Sequence, residues 1–212
     1  MSYIPSLTLP PQILASPTLS ILLPLGLGFT SGYLSQLGPK STTTTSTTTS
    51  TTSDTPPSSN AKPIEKRYLS LRQPPFRPPP WLFAPAWTAL YILMGYASHR
   101  AWTTRMSSFV PRVVEDTRRG ATLYTIGLGL NLAFMPLFFG LGRPVEALVD
   151  VGLLTASTVY LAKIWSKVDV VASWCLAPYI AWLGFATYLT AGTGYLNGWS
   201  MKGGKAEGGK AE

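Results

Sequence analysis

At 212 residues the chain has the length of one or two soluble domains, yet 46% of it is hydrophobic and only 12% charged, about half the roughly 25% charge of an ordinary globular protein. That composition points away from a soluble fold and towards a membrane protein. The net charge of +8 does not mark a nucleic-acid binder, because the basic residues lie between apolar segments and form no aromatic-interleaved patch.

Residues 1–12 form an N-terminal segment without Lys or Arg ahead of the first apolar run. They lack both the basic start of a secretory signal and the Arg-rich pattern of a matrix transit peptide, so the first span is expected to be retained. Charge-free intervals at 1–39, 78–99, 120–142 and 170–201 each exceed the ~18 apolar residues that read as a spanning helix. A shorter run at 151–162 follows Glu146 and Asp150, and the short connections on either side make it a span as well. The expected fold is an all-α membrane protein, a bundle of five transmembrane helices near 13–36, 81–103, 119–140, 145–164 and 171–195. With five spans, ten of the 17 basic residues fall on the side of the C-terminal tail, which places that tail in the cytosol by the positive-inside rule.

Between the first two spans, 37–65 contains the tract STTTTSTTTSTTSDTPPSSN, which has almost nothing to bury and reads as a disordered linker. The tail, 198–212, repeats GGKAE and reads as a flexible extension. The single Cys175 excludes an intramolecular disulfide, and its apolar setting makes it a packed thiol.

The stretch from Pro74 to Trp87, PPFRPPPWLFAPAW, is the one around which the remaining spans are arranged. Its prolines bar a helix until Pro80, where proline suits a helix's first turn. The result is a stiff aromatic lip on an apolar helix, suited to be a lid, a membrane anchor or a pocket wall. Below it, Trp87 and Tyr91 are four residues apart and share a face, either lining a pocket or packing the bundle. Pro85 and Gly95 permit a bend or a close approach. His99 beside Arg100 has no second ligand residue nearby and reads as an interfacial side chain. In the third span, Asn131 places an amide in hydrocarbon. Its partners are the carbonyls freed by Pro136, another helix, or a ligand. In the fourth, Arg143, Glu146 and Asp150 are spaced three and four apart and are expected on one face, as a capping and anchoring cluster or as groups that meet a ligand or proton. The fifth carries Trp174, Pro178, Trp182, Phe185 and Tyr188, then a thin end at Ala191, Gly192 and Gly194. No general acid–base pair, metal set or activated nucleophile stands out, which favours ligand binding over catalysis.

Taken together, these residues resemble a known family. PPFRPPPWLFAPAW followed by Leu90-Tyr91 and Met94-Gly95 is similar to the P-x-W-x-P-P-x-W-x-F-G-P-V-W…LY…MG signature of the translocator protein family, also called tryptophan-rich sensory proteins or peripheral-type benzodiazepine receptors. In order, Leu130-Asn131…Pro136-Leu137-Phe138-Phe139-Gly140 resembles LNxxWxPxFFG, Ala147-Leu148-Val149-Asp150 resembles ALVD, and 178–185, PYIAWLGF, resembles PYxAWxxF. The resemblance covers about 13–38 and 66–197. It implies a five-helix bundle, often dimeric, that binds tetrapyrroles such as porphyrin or haem and, in eukaryotes, cholesterol and benzodiazepine-type ligands, with no required cofactor. The ligand-binding positions it implies, together with the polar and aromatic departures beside them, are Trp81, Trp87, Tyr91, Asn131, Phe134, Glu146, Asp150, Trp182 and Ala186. Some members have been proposed to degrade porphyrin oxidatively in light, for which Trp87 and Trp182 are the matching residues. The mitochondrial outer membrane, or alternatively the endoplasmic reticulum, is the implied location.

The chain departs from the family at several walls. Leu132 and Phe134 stand at tryptophan positions, and Glu146 at an aromatic one. Thr190, Gly194 and Tyr195 replace Asn, Trp and Arg near the end. The sterol pattern L/V-x(1–5)-Y-x(1–5)-K/R is missed, since Lys202 lies one place too far from Tyr195.

Overall fold

The computed structural model describes residues 4–36, 71–106 and 108–199; the Ser/Thr tract and the GGKAE repeats lie outside them. A 3₁₀ turn, Pro5–Leu7, leads into α1 (Pro11–Ala15) and then α2 (Pro17–Gln36), α3 (Pro80–Arg105), α4 (Pro111–Met135), α5 (Pro144–Val168) and α6 (Val170–Leu196). A single π-type turn, Pro136–Gly140, extends α4. No strand occurs among the described residues.

Proline sets the starts. Each helix from α1 to α5 opens on one, where its missing N–H costs nothing and its fixed φ suits the first turn. The last helix starts differently: Asp169 caps it, its carboxylate accepting from the Ala172 N–H at 3.0 Å. Pro17 also splits the expected first span, so that 13–36 becomes two helices with Ser16 extended between them. α4 begins eight residues before the expected 119, because the charged run RVVEDTRR is helix that continues past the apolar stretch.

Five helices, α2 to α6, make an all-α membrane bundle. Pro111–Phe138, Pro144–Val168 and Val170–Leu196 are each long and apolar enough to cross a bilayer. α2 and α3, of 20 and 26 residues, reach about 30 and 39 Å at 1.5 Å per residue. The core runs down the centre through Leu90, Tyr91, Met94, Tyr124, Leu154, Trp165, Leu176, Tyr179 and Leu183. Small residues bring helices together at its edges. A Cβ at Gly95 would strike the Ser20 carbonyl of α2, and one at Gly120 would strike the Trp165 indole of α5.

Each end of the bundle is tied. At the end away from the lip, Arg100 of α3 pairs with Asp169 at 3.0 Å and Arg105 Nε donates to the Val168 carbonyl at 2.6 Å. Burial would push the Asp169 carboxyl up, but the Ala172 N–H and the Arg100 guanidinium outweigh it and hold the group below the usual carboxylate range. The N-terminal arm lies along α4, where the Leu9 N–H donates to Thr125 Oγ1 at 3.0 Å. His99 meets the Leu14 carbonyl at 3.0 Å.

Candidate functional site

The lip, 71–79, crosses the end of α6. Asn197 accepts the Arg72 N–H at 3.1 Å and its Nδ2 donates to the Arg72 carbonyl at 2.7 Å, while Tyr188 OH donates to the Pro75 carbonyl at 3.1 Å. Gly192 makes room for Pro74, whose Cγ would sit 2.8 Å from a Cβ there. Leu71 is buried with Phe138 and Ala147, anchoring the start of the lip on the α4–α5 junction. The lip's turn holds Phe76 at φ 65°, a left-handed conformation unusual for a bulky residue, and leaves the residue 89% exposed.

Beneath the lip, α3 and α6 bring aromatic rings together. The Trp87 ring lies 5.4 Å from Tyr91, 6.3 Å from Tyr179 and 6.3 Å from Trp182, the last two contacts edge-on. Trp182 meets Phe83 and Phe185, each at 5.9 Å. These are the offset and T-shaped arrangements that ring quadrupoles favour.

Under the rings sits a buried polar chain. Tyr91 OH donates to Asn131 Oδ1 at 2.7 Å, and Asn131 Nδ2 donates to Tyr179 OH at 2.9 Å. Of the partners open to the Asn131 amide, the structure supplies two other helices. Tyr179 is not among the sequence candidates. Its signal is present in the PY of PYIAW, a tyrosine one turn before Trp182 on the same helix.

The remaining candidates are dispersed. Trp81, 70% exposed, stands outside the ring cluster at the start of α3. Phe134 stacks on Phe138 at 5.7 Å, between the main core and the Leu71 cluster. Ala186 packs against the core. Arg143 and Glu146 pair at 3.5 Å on the surface, but Asp150 does not join them. It is 7% exposed, and its Oδ2 has no hydrogen-bond partner among the described residues. The expected cluster is thus reduced to a pair: by spacing the three lie on one side of the helix, but Asp150 is seven residues, about 10 Å, further along it than Arg143, at a level where that side is covered by the bundle.

Two spaces adjoin these groups. An enclosed void of about 10 Å³, lined by residues that include Met94, Tyr124, Thr158 and Tyr179, is the size of one water. A groove of about 490 Å³ runs along the outer seam of α3 and α6, with Trp182 in its wall. Among the described residues no group of three or more His, Cys, Asp or Glu is placed to hold a metal ion.

A bundle of apolar helices with an aromatic cluster, the buried Asn131 amide and a proline strap over one end is that of a multi-pass integral membrane protein. The TspO/MBR family matches residues 20–196. The chain is 45% identical over 139 residues to the translocator protein homolog of Schizosaccharomyces pombe, covering 65% of this chain and 82% of that one. It is 37% identical over 128 residues to the tryptophan-rich protein TspO of Chlorobaculum tepidum, covering 60% and 77%, and 40% identical over 122 residues to the translocator protein of Bos taurus, covering 58% and 69%. The chain belongs to the TspO/MBR family, whose relatives support a membrane translocator or receptor role.

Proposed function

We propose that this protein binds a planar, hydrophobic tetrapyrrole such as porphyrin or haem at the aromatic cluster of α3 and α6, as a receptor or translocator. The observation that carries this reading is the Trp87 ring, which touches aromatic rings from both helices directly below a strapped-down lip. Flat rings offer a macrocycle stacking faces in a setting otherwise lined by apolar side chains. The Asn131 amide already serves two tyrosines, so it shapes the floor and leaves recognition to the rings. Since the enclosed void is only water-sized, a macrocycle takes its place by turning the Trp87 and Trp182 rings aside. Sterol binding has less support, because the Lys202 spacing misses the sterol pattern.

Titration of the protein in lipid nanodiscs with protoporphyrin IX, followed by tryptophan quenching, tests the site. Trp87→Ala is expected to weaken affinity by at least ~1 kcal/mol, about fivefold in Kd; an unchanged Kd removes Trp87 from the site. The edge-on contact of Trp87 and Trp182 favours one second reading, light-dependent oxidative degradation of porphyrin. New absorbing products formed only under illumination would establish it. The family resemblance and the basic tail side support the mitochondrial outer membrane, or the endoplasmic reticulum, with a cytosolic C-terminus. A fluorescent tag at the C-terminus checks both.

A further inference from the structure

We propose that the groove between α3 and α6 is a lateral doorway, through which a planar apolar ligand passes between the bilayer hydrocarbon and the aromatic cluster, with Trp182 as its leaf. The inference rests on the ligand site proposed above and adds the route to it. The two helices are antiparallel, since α3 starts and α6 ends beneath the lip. The groove takes in Ala86 to Leu93 of one and Pro178 to Phe185 of the other, each about 10 Å of helix. That depth lies inside the apolar spans, so the groove faces lipid chains. Its walls carry no charged side chain, and Ala86, Ala89 and Ala181 keep it wide.

Two independent features make this seam able to open. Both bounding helices have an internal proline, Pro85 in α3 and Pro178 in α6. Each lacks the N–H that would bond the carbonyl four residues earlier, so the helix can bend there without breaking a ladder bond. Trp182 is also the wall shared by the groove and the cluster, since its ring lines the groove and meets Trp87 and Phe83 edge-on. Rotation of that one ring opens the groove onto the aromatic cluster.

The test uses full-length protein in lipid nanodiscs mixed with protoporphyrin IX by stopped flow, with tryptophan quenching as the signal. Ala89→Leu and Ala89→Phe plug the groove from α3, and Ala181→Phe plugs it independently from α6. An obstacle on the path raises the barrier in both directions alike. Association and release are therefore expected to slow together, about tenfold for the phenylalanines and less for the leucine, with Kd within about twofold of wild type. Unchanged rates in variants with native helicity would overturn the doorway and direct access to the lip. A weaker Kd with an unchanged association rate would also overturn it, making the groove part of the seat. Wild-type protein that shows no saturable quenching defeats the ligand site itself, a result distinct from either.

Discussion

Replacing Asn131 with leucine removes two buried hydrogen bonds at once. Tyr91 OH loses its acceptor at 2.7 Å and Tyr179 OH loses its donor at 2.9 Å, while the shape of the side chain is nearly kept. Hydrogen bonds between membrane helices average about 0.6 kcal/mol and reach about 1.7, so the pair accounts for roughly 1–3 kcal/mol. The Tyr91 hydroxyl left behind adds a desolvation cost, because a buried donor without a partner is worse than no donor. Asn131→Leu combined with Tyr91→Phe should therefore be less damaging than the sum of the two single changes. Unfolding in mixed micelles, followed by helical circular dichroism as SDS increases, gives the free energies for the cycle. A wild-type midpoint for Asn131→Leu, or single changes that add without coupling, would refute the idea that this chain of hydroxyls and amide holds three helices together.

Two further predictions use the same unfolding assay. Gly95→Ala should destabilise by about 1–3 kcal/mol through overpacking, because the new methyl meets the α2 backbone at Ser20 and Ile21, which cannot rotate away. Gly184→Ala, with nothing within 4 Å of its Cβ, should be neutral or gain up to about 1 kcal/mol from helix propensity, and equal losses in both would rule out the close approach as the cause. Asp169→Ala should cost about 1 kcal/mol for the lost cap alone. The depressed Asp169 carboxyl contributes stability that is present above its unfolded pKa of about 3.9 and disappears as pH falls through the lower folded value; Asp169→Asn should flatten that acid limb, and an unaltered limb would exclude the ion pair with Arg100.

The architecture is legible because hydrocarbon enforces it: charge-free runs mark where the bilayer lies, and prolines mark where helices begin. What those runs measure is the bilayer and not the helix, which is why α4 starts at Pro111, well ahead of the apolar stretch. Trp87, Tyr91 and Asn131 can be read from spacing and motif. Tyr179, which meets Trp87 and Asn131, is legible only as the tyrosine of PYIAW, since periodicity on one helix says nothing about which residue faces it from another. Asp150 fails to join the Arg143–Glu146 pair for a related reason, as spacing along one helix does not say at which level its neighbours cover it. The Arg100–Asp169 pair spans 69 residues of sequence and leaves no local trace.

The strap over the lip has a practical consequence for handling the molecule. Asn197 grips both backbone groups of Arg72 across 125 residues of sequence, so the last turn of the final helix and the threshold of the aromatic chamber form a single mechanical piece. Trimming the chain to 196 would cut that piece, and an affinity tag joined too tightly there would pull on it. The C-terminal boundary chosen for expression thus sets the geometry of the lip, 125 residues earlier in the sequence.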